Sequence, residues 1–164
     1  MTSDMHILVA LVNDKPGVLN RVSSMLRRRG FNIESIAVGH TEREGISRMT
    51  IVVSGDPATV EQARKQLDKV IDVIKLYDIT EESVVDRELA LVKVKATPST
   101  RSEIIQIVDI FRANIVDVAA DSLIVEVTGD EDKLNSLFRL LSTFGIKEIA
   151  RTGRLAMTRG MPPA

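Results

Sequence analysis

The chain has 164 residues, 44% hydrophobic and 27% charged, which suits one medium domain or two small ones with ordinary cores. Lys plus Arg number 22 against 23 for Asp plus Glu, a net charge of −1, so no broad field steers the chain toward nucleic acid or an anionic membrane. There is no cysteine, which removes disulfides, zinc-thiolate sites and thiol nucleophiles and makes a reducing cytoplasm the expected location. No apolar run approaches the roughly 18 residues of a membrane span, and no signal segment is expected.

Ile7 to Val12 is an apolar run of strand length. It leads into Asn13-Asp14-Lys15-Pro16-Gly17-Val18-Leu19, a glycine turn that opens a helix whose apolar residues recur through Val22, Met25 and Leu26 as far as Gly30. Pro16, with no donor to lose, suits the first helical position, and Gly17 allows close backbone approach. An open helix N-terminus attracts anions, and Asp14 beside it is itself a carboxylate. Together they complement a zwitterion such as a free amino acid. A plain βα turn capped by Asp14 is the bland alternative.

Asn32 to Val38 alternates apolar and polar, the turn-rich stretch from Gly39 to Gly45 comes next, and Met49 to Val53 reads as the returning strand of a hairpin. Asp56-Pro57 starts a second helix through Val60, Ala63, Leu67 and Val70, and Val73 to Ile79 supplies a fourth strand. The order is βαββαβ.

After a polar stretch, with a hinge expected near Glu82 to Arg87, the order repeats. Asn32-Ile33 recurs as Asn114-Ile115, and Ser54-Gly55-Asp56 as Thr128-Gly129-Asp130, with a shorter second hairpin. Two α+β domains are expected, 1–81 and 82–164, each a ferredoxin-like antiparallel four-stranded sheet with two helices on one face. The uncovered sheet faces argue for dimerisation or sheet stacking. Aligned on the repeated Asn-Ile pair, Pro16 falls on Pro98, but Gly17 falls on Ser99 and Asp14 on Ala96. There Thr100-Arg101-Ser102-Glu103 reads as a capping box, which occupies the helix donors with the protein's own side chains. The basic stretch from Arg151 to Arg159 reads equally as a frayed tail or a docking segment.

Several chemistries have no support. His6, near the terminus, and His40, in the hairpin loop, are too far apart in sequence to suggest a metal site. The loop from His40 to Glu44 would at most hold an adventitious cation. Neither G-x-G-x-x-G nor G-x-x-x-x-G-K-[ST] is present, and no carboxylate pair sits in an apolar setting, so no catalytic residue is expected. Aromatics are only 3%, with Phe31, Phe111, Phe138 and Phe144 read as core or element-end residues, which argues against base-stacking RNA binding. Arg27-Arg28-Arg29 suits the negative end of its helix.

The segments Asn13 to Leu19, Arg29 to Ser35 and Ser47 to Ile51 resemble an ACT domain of the acetolactate synthase regulatory small subunits. The resemblance continues through Arg87 to Val94, Ile110 to Val118 and Ala150 to Gly153, and so covers nearly the whole chain. It implies a non-catalytic partner of a large subunit that holds thiamine diphosphate, Mg and FAD and makes acetolactate for branched-chain amino acids. This chain itself would carry no cofactor. It would raise the partner's activity and confer feedback inhibition by a branched-chain amino acid, usually valine.

The implied effector site joins Asp14, Lys15, Pro16, Gly17, Val18 and Leu19 to Asn32 and Ile33 of a second protomer in a homodimer. The backbone at Gly17 and Val18 would take the carboxylate, Asp14 the ammonium, and Val18, Leu19 and Ile33 the apolar side chain. Many family members carry Asn where this chain has Asp14. A free-standing homodimeric amino-acid-binding regulator is the second reading, and a small enzyme with a carboxylate base the third.

Overall fold

The computed structural model describes residues 4–160. The first half is β1 (Met5–Asn13), α1 (Val18–Arg28), β2 (Asn32–His40), β3 (Ile46–Ser54), α2 (Pro57–Asp68) and β4 (Val73–Asp78). The second is β5 (Val84–Lys95), α3 (Arg101–Ile110), β6 (Asn114–Val118), β7 (Ser122–Gly129), α4 (Glu131–Ser142) and β8 (Ile146–Arg151), followed by β9 (Leu155–Thr158). The βαββαβ order therefore occurs twice. The sheets run β2-β3-β1-β4 and β6-β7-β5-β8, with β9 pairing β5 off that path, and the paired strands within each four-stranded sheet are antiparallel. These are two ferredoxin-like domains.

In the first sheet Leu8, Ala10 and Val12 alternate toward the helices. They pack with Val18, Val22 and Leu26 of α1 and with Val60, Ala63 and Leu67 of α2. The strand period of two and the helix period of 3.6 thus meet in one core. A matching core in the second half joins Ala90, Val92 and Val94 to Ile104, Val108, Leu134 and Leu137.

Two compact units result. One reaches Val85 and takes up the chain again at Arg154, and the other is Asp86–Gly153. The expected boundary between 81 and 82 differs from this division chiefly at the C-terminus. The reason lies in β1, which is buried on both faces, whereas β5 alternates buried and exposed residues. Ile7 and Val9 point away from the helices and pack with Val52, Ile79 and Ala156 of β9. Arg48 donates to the Ala156 carbonyl at 2.7 Å, and the Arg159 amide donates to Ser83 O at 2.8 Å. The stretch read from sequence as a frayed tail or docking segment is thus partly a strand of the first unit, and it covers a sheet face expected to be bare. The expected hinge also changes, because β5 already starts at Val84.

Candidate functional site

The first βα turn is fixed from three directions. The Asn13 amide donates to Asp72 O at 2.9 Å, and Asp14 N donates to Gly45 O at 2.9 Å. Lys15 N turns back to Asn13 O at 2.9 Å. The Asp72 carboxylate, buried beneath the turn, accepts a hydrogen bond from Arg21 of α1. Helix start and preceding strand are thereby tied to one anchor.

Helix α1 begins at Val18, so Pro16 is not its first residue, as the sequence suggested. Gly17 is the N-cap instead, at φ 84°, ψ −6°, and no side chain caps the helix. That left-handed conformation is why glycine stands there: a Cβ would be strained and would also meet Arg21 at 3.3 Å. By contrast α2 and α4 are capped, Asp56 accepting from Thr59 N at 2.8 Å and Asp130 from Lys133 N at 2.9 Å. The sequence alternative, a turn capped by Asp14, is not what forms. Asp14 points to His40 instead, whose Nδ1 lies 3.4 Å from its carboxylate.

His40 is the last residue of β2 and not a loop residue, and sequence spacing gave no sign of this neighbour. The signal was in the hairpin register: Asn13 pairs with Ile46 and His40 with Ser47, so both strand ends meet at one edge. His6, expected near a ragged terminus, lies buried in β1 with neither ring nitrogen hydrogen-bonded among the described residues. Of the turn's apolar residues, Val18 enters the core at 3% exposed, while Leu19 stands 48% exposed at the helix start. Lys15 and Pro16 are exposed.

Asn32 and Ile33 lie elsewhere. Asn32 pairs with Ser54, at the end of the sheet where Met5 pairs with the same residue. At about 3.3 Å per residue, the length of β1 separates them from the turn by roughly 26 Å. One chain therefore does not bring the eight residues together. The Asn32 side chain donates to Glu34 at 2.7 Å, and Ile33 is partly buried against the core.

The second copy reproduces the backbone frame of the turn and fills it differently. Lys95 N donates to Gly145 O at 2.8 Å and Ala96 N to Asp121 O at 2.9 Å, the counterparts of the bonds made by Asn13 and Asp14. The expected capping box does not form. Thr100 sits at φ −102°, ψ −15°, outside the extended region a capping residue adopts, and makes no side-chain cap. Its hydroxyl accepts from Thr97 N at 2.9 Å and lies 3.0 Å from the Thr97 hydroxyl, while Arg101 reaches over to the carbonyls of Ala119 and Ala120. The space is occupied by the chain itself.

Among the described residues, no group of three or more His, Asp or Glu side chains is placed to hold a metal ion, and no helix is long and apolar enough to cross a membrane.

Residues 8–75 match the family described as the AHAS small subunit-like ACT domain, and residues 87–160 match the small subunit of acetolactate synthase. A probable acetolactate synthase small subunit of Archaeoglobus fulgidus is 58% identical over 155 residues, covering 94% of this chain and 97% of that protein. The acetolactate synthase small subunit of Bacillus subtilis is 53% identical over 156 residues, covering 94% and 91%. The crystal structure of the acetolactate synthase small subunit from Thermotoga maritima superposes with a TM-score of 0.88 at 42% identity, covering 96% of this chain and 99% of that one.

Proposed function

This chain belongs to the acetolactate synthase small subunits, a regulatory family with ACT domains, and from that premise we propose that its first βα turn is half of a valine-type effector site completed by a second copy. The observation that carries the reading is the uncapped helix start at Gly17 beside the Asp14 carboxylate, a pair the second unit lacks. Free amides at the start of α1 suit the ligand carboxylate, and Asp14 suits its ammonium. Leu19 offers exposed apolar surface to the side chain.

The second half follows from strand geometry. β2 is an edge strand of the first sheet, so its outer backbone groups are open to another strand. If two copies pair their β2 edges antiparallel about a two-fold axis, Asn32 of one comes opposite His40 of the other. That is the end where Asp14 lies. The roughly 26 Å separation within one chain then becomes proximity between two.

In this reading the protein is a cytoplasmic homodimer that has no catalytic machinery of its own. It activates a large catalytic subunit carrying thiamine diphosphate, Mg and FAD, and makes that subunit sensitive to feedback. An effector lodged between protomers acts only by preferring one arrangement of the interface over another, and that preference sets the size of the inhibition. The domains are proposed as an effector-binding first domain, nominally 1–81, and a second, 82–164, concerned with packing and partner contact.

The test is acetolactate formation by the holoenzyme reconstituted with Gly17→Asp or Asn32→Ala small subunit, each titrated with valine. Each variant alone is expected to be strongly desensitised. A mixture of the two recovers partial inhibition, because a mixed dimer holds one intact site. No recovery on mixing sinks the shared site, and normal inhibition of Gly17→Asp sinks the turn assignment. Acetolactate formed by the small subunit alone would refute its non-catalytic role.

A further inference from the structure

On the face of the first sheet opposite α1 and α2, next to the apolar closure made by β9, lies a cavity of about 260 Å³. Val9 and Ile79, at 1% and 2% exposed, form its floor. Arg48, Tyr77 and Glu42 line it, and Met157, Thr158 and Gly160 bring the C-terminal segment to its mouth. All of these residues belong to the first unit. The volume is near the lower end for small-molecule pockets, enough for a compact metabolite and too small for a nucleotide.

Its charges are arranged in a particular way. Arg48 spends one donor on the Ala156 carbonyl, at 2.7 Å, out of the five a guanidinium carries. Burial holds this guanidinium below its ordinary value, an effect that Tyr77 and Glu42 only partly offset. Glu42 is thus close enough to act on Arg48, yet among the described residues the two do not close into an ion pair. A cation and a carboxylate held apart over an apolar floor complement a zwitterion with a short apolar side chain. The ligand carboxylate would meet Arg48, its ammonium Glu42, and its side chain Val9 and Ile79.

We propose that this cavity is a second binding site for a small apolar α-amino acid, on the sheet face away from the helices. It goes beyond the reading of the first turn, since no residue from Asp14 to Leu19 lines it.

Tyr77 is the chain's one tyrosine and there is no tryptophan, so tyrosine emission of the full chain reports on this cavity. The full-length Gly17→Asp chain titrated with L-valine is expected to show a saturable change in emission, with a midpoint within about twofold of the unsubstituted chain. Arg48→Gln, Glu42→Gln and Met157→Phe, each added to Gly17→Asp, are expected to raise that midpoint at least tenfold. So is replacing valine by 3-methylbutanoate or 2-methylpropylamine, each of which lacks one of the two charges. Circular dichroism checks folding; should Arg48→Gln unfold, the exposed positions Glu42 and Met157 decide. The proposal is overturned by no saturable change in the Gly17→Asp chain, by midpoints unchanged in Glu42→Gln and Met157→Phe, or by an equal response to 3-methylbutanoate. A response present in the unsubstituted chain and absent from Gly17→Asp also overturns it and leaves the turn site standing. Holoenzyme inhibition, by contrast, tests the turn alone.

Discussion

In both units the first strand ends in the same two backbone bonds, from Asn13 and Asp14 in one and from Lys95 and Ala96 in the other. Beyond those bonds the two turns diverge. Gly17 takes a left-handed conformation at the start of α1, whereas Thr97, Ser99 and Thr100 knit the second turn together with their own hydroxyls. Duplication kept the frame, which backbone hydrogen bonding demands, and released the side chains. Neither α1 nor α3 carries a side-chain cap, so the difference lies in the turn before the helix: the second is bound together by hydroxyls, and the first, from Asn13 to Val18, contains no Ser or Thr to do so.

The largest effects are expected from two ion pairs, one in each unit. Arg21→Ala leaves the buried Asp72 carboxylate without its partner, and a loss of about 3 kcal/mol is expected in urea unfolding, together with weaker valine inhibition of the holoenzyme. Arg151→Ala, which strips the buried Glu88 in the second unit, is expected to cost a similar amount while leaving the valine midpoint unchanged. If both variants alter the midpoint equally, the functional asymmetry between the units is wrong.

Next in size, Gly17→Asp is expected to weaken valine inhibition about 100-fold, equivalent to about 2.7 kcal/mol, while Ser99→Asp at the matching position leaves it unchanged. A smaller effect belongs to Thr97→Val. Losing the hydroxyl contacts with Ser99 and Thr100 is expected to lower stability by about 1 kcal/mol with no change in valine response, as read by thermal melting beside inhibition assays.

The smallest expected effect lies at the cap of α2. The Thr59 hydroxyl and amide hold the Asp56 carboxyl below its usual range. A depressed carboxylate stabilises the fold above the ordinary pKa of about 4 and loses that contribution as pH falls through the lowered value. Asp56→Asn, which still caps, is therefore expected to flatten the melting profile on its acid side, below about pH 4. An unchanged profile would show that other carboxylates govern acid unfolding.

Much of the architecture was legible in the chain. Alternation in Asn32–Val38, helical spacing through Val22 and Leu26, and the repeated Asn-Ile and Gly-Asp landmarks led to two βαββαβ units with their elements in order. Gly17 was legible as a special position through the close backbone approach it allows, and the structure added the left-handed conformation that only glycine takes without strain. The role of Pro16 was misplaced by two residues, since the tight turn at Gly17 delays the helix to Val18. The capping box at Thr100 failed for a related reason: the motif matches by spacing, but Thr100 has helical dihedrals and its hydroxyl bonds to Thr97.

Periodicities, turn residues and the duplication could be read along the chain, because each rests on the local stereochemistry of a few neighbouring residues. Long-range packing, by contrast, brings Leu155–Thr158 back over the first sheet, sets His40 beside Asp14 and leaves Asn32 at the far end from the turn. Those are facts of register and of which apolar face needs covering. They depend on pairings between residues tens of positions apart, which no local pattern encodes. One trace of them was present all the same: the unbroken apolar run of β1, set against the alternation of β5, marks a strand buried on both faces.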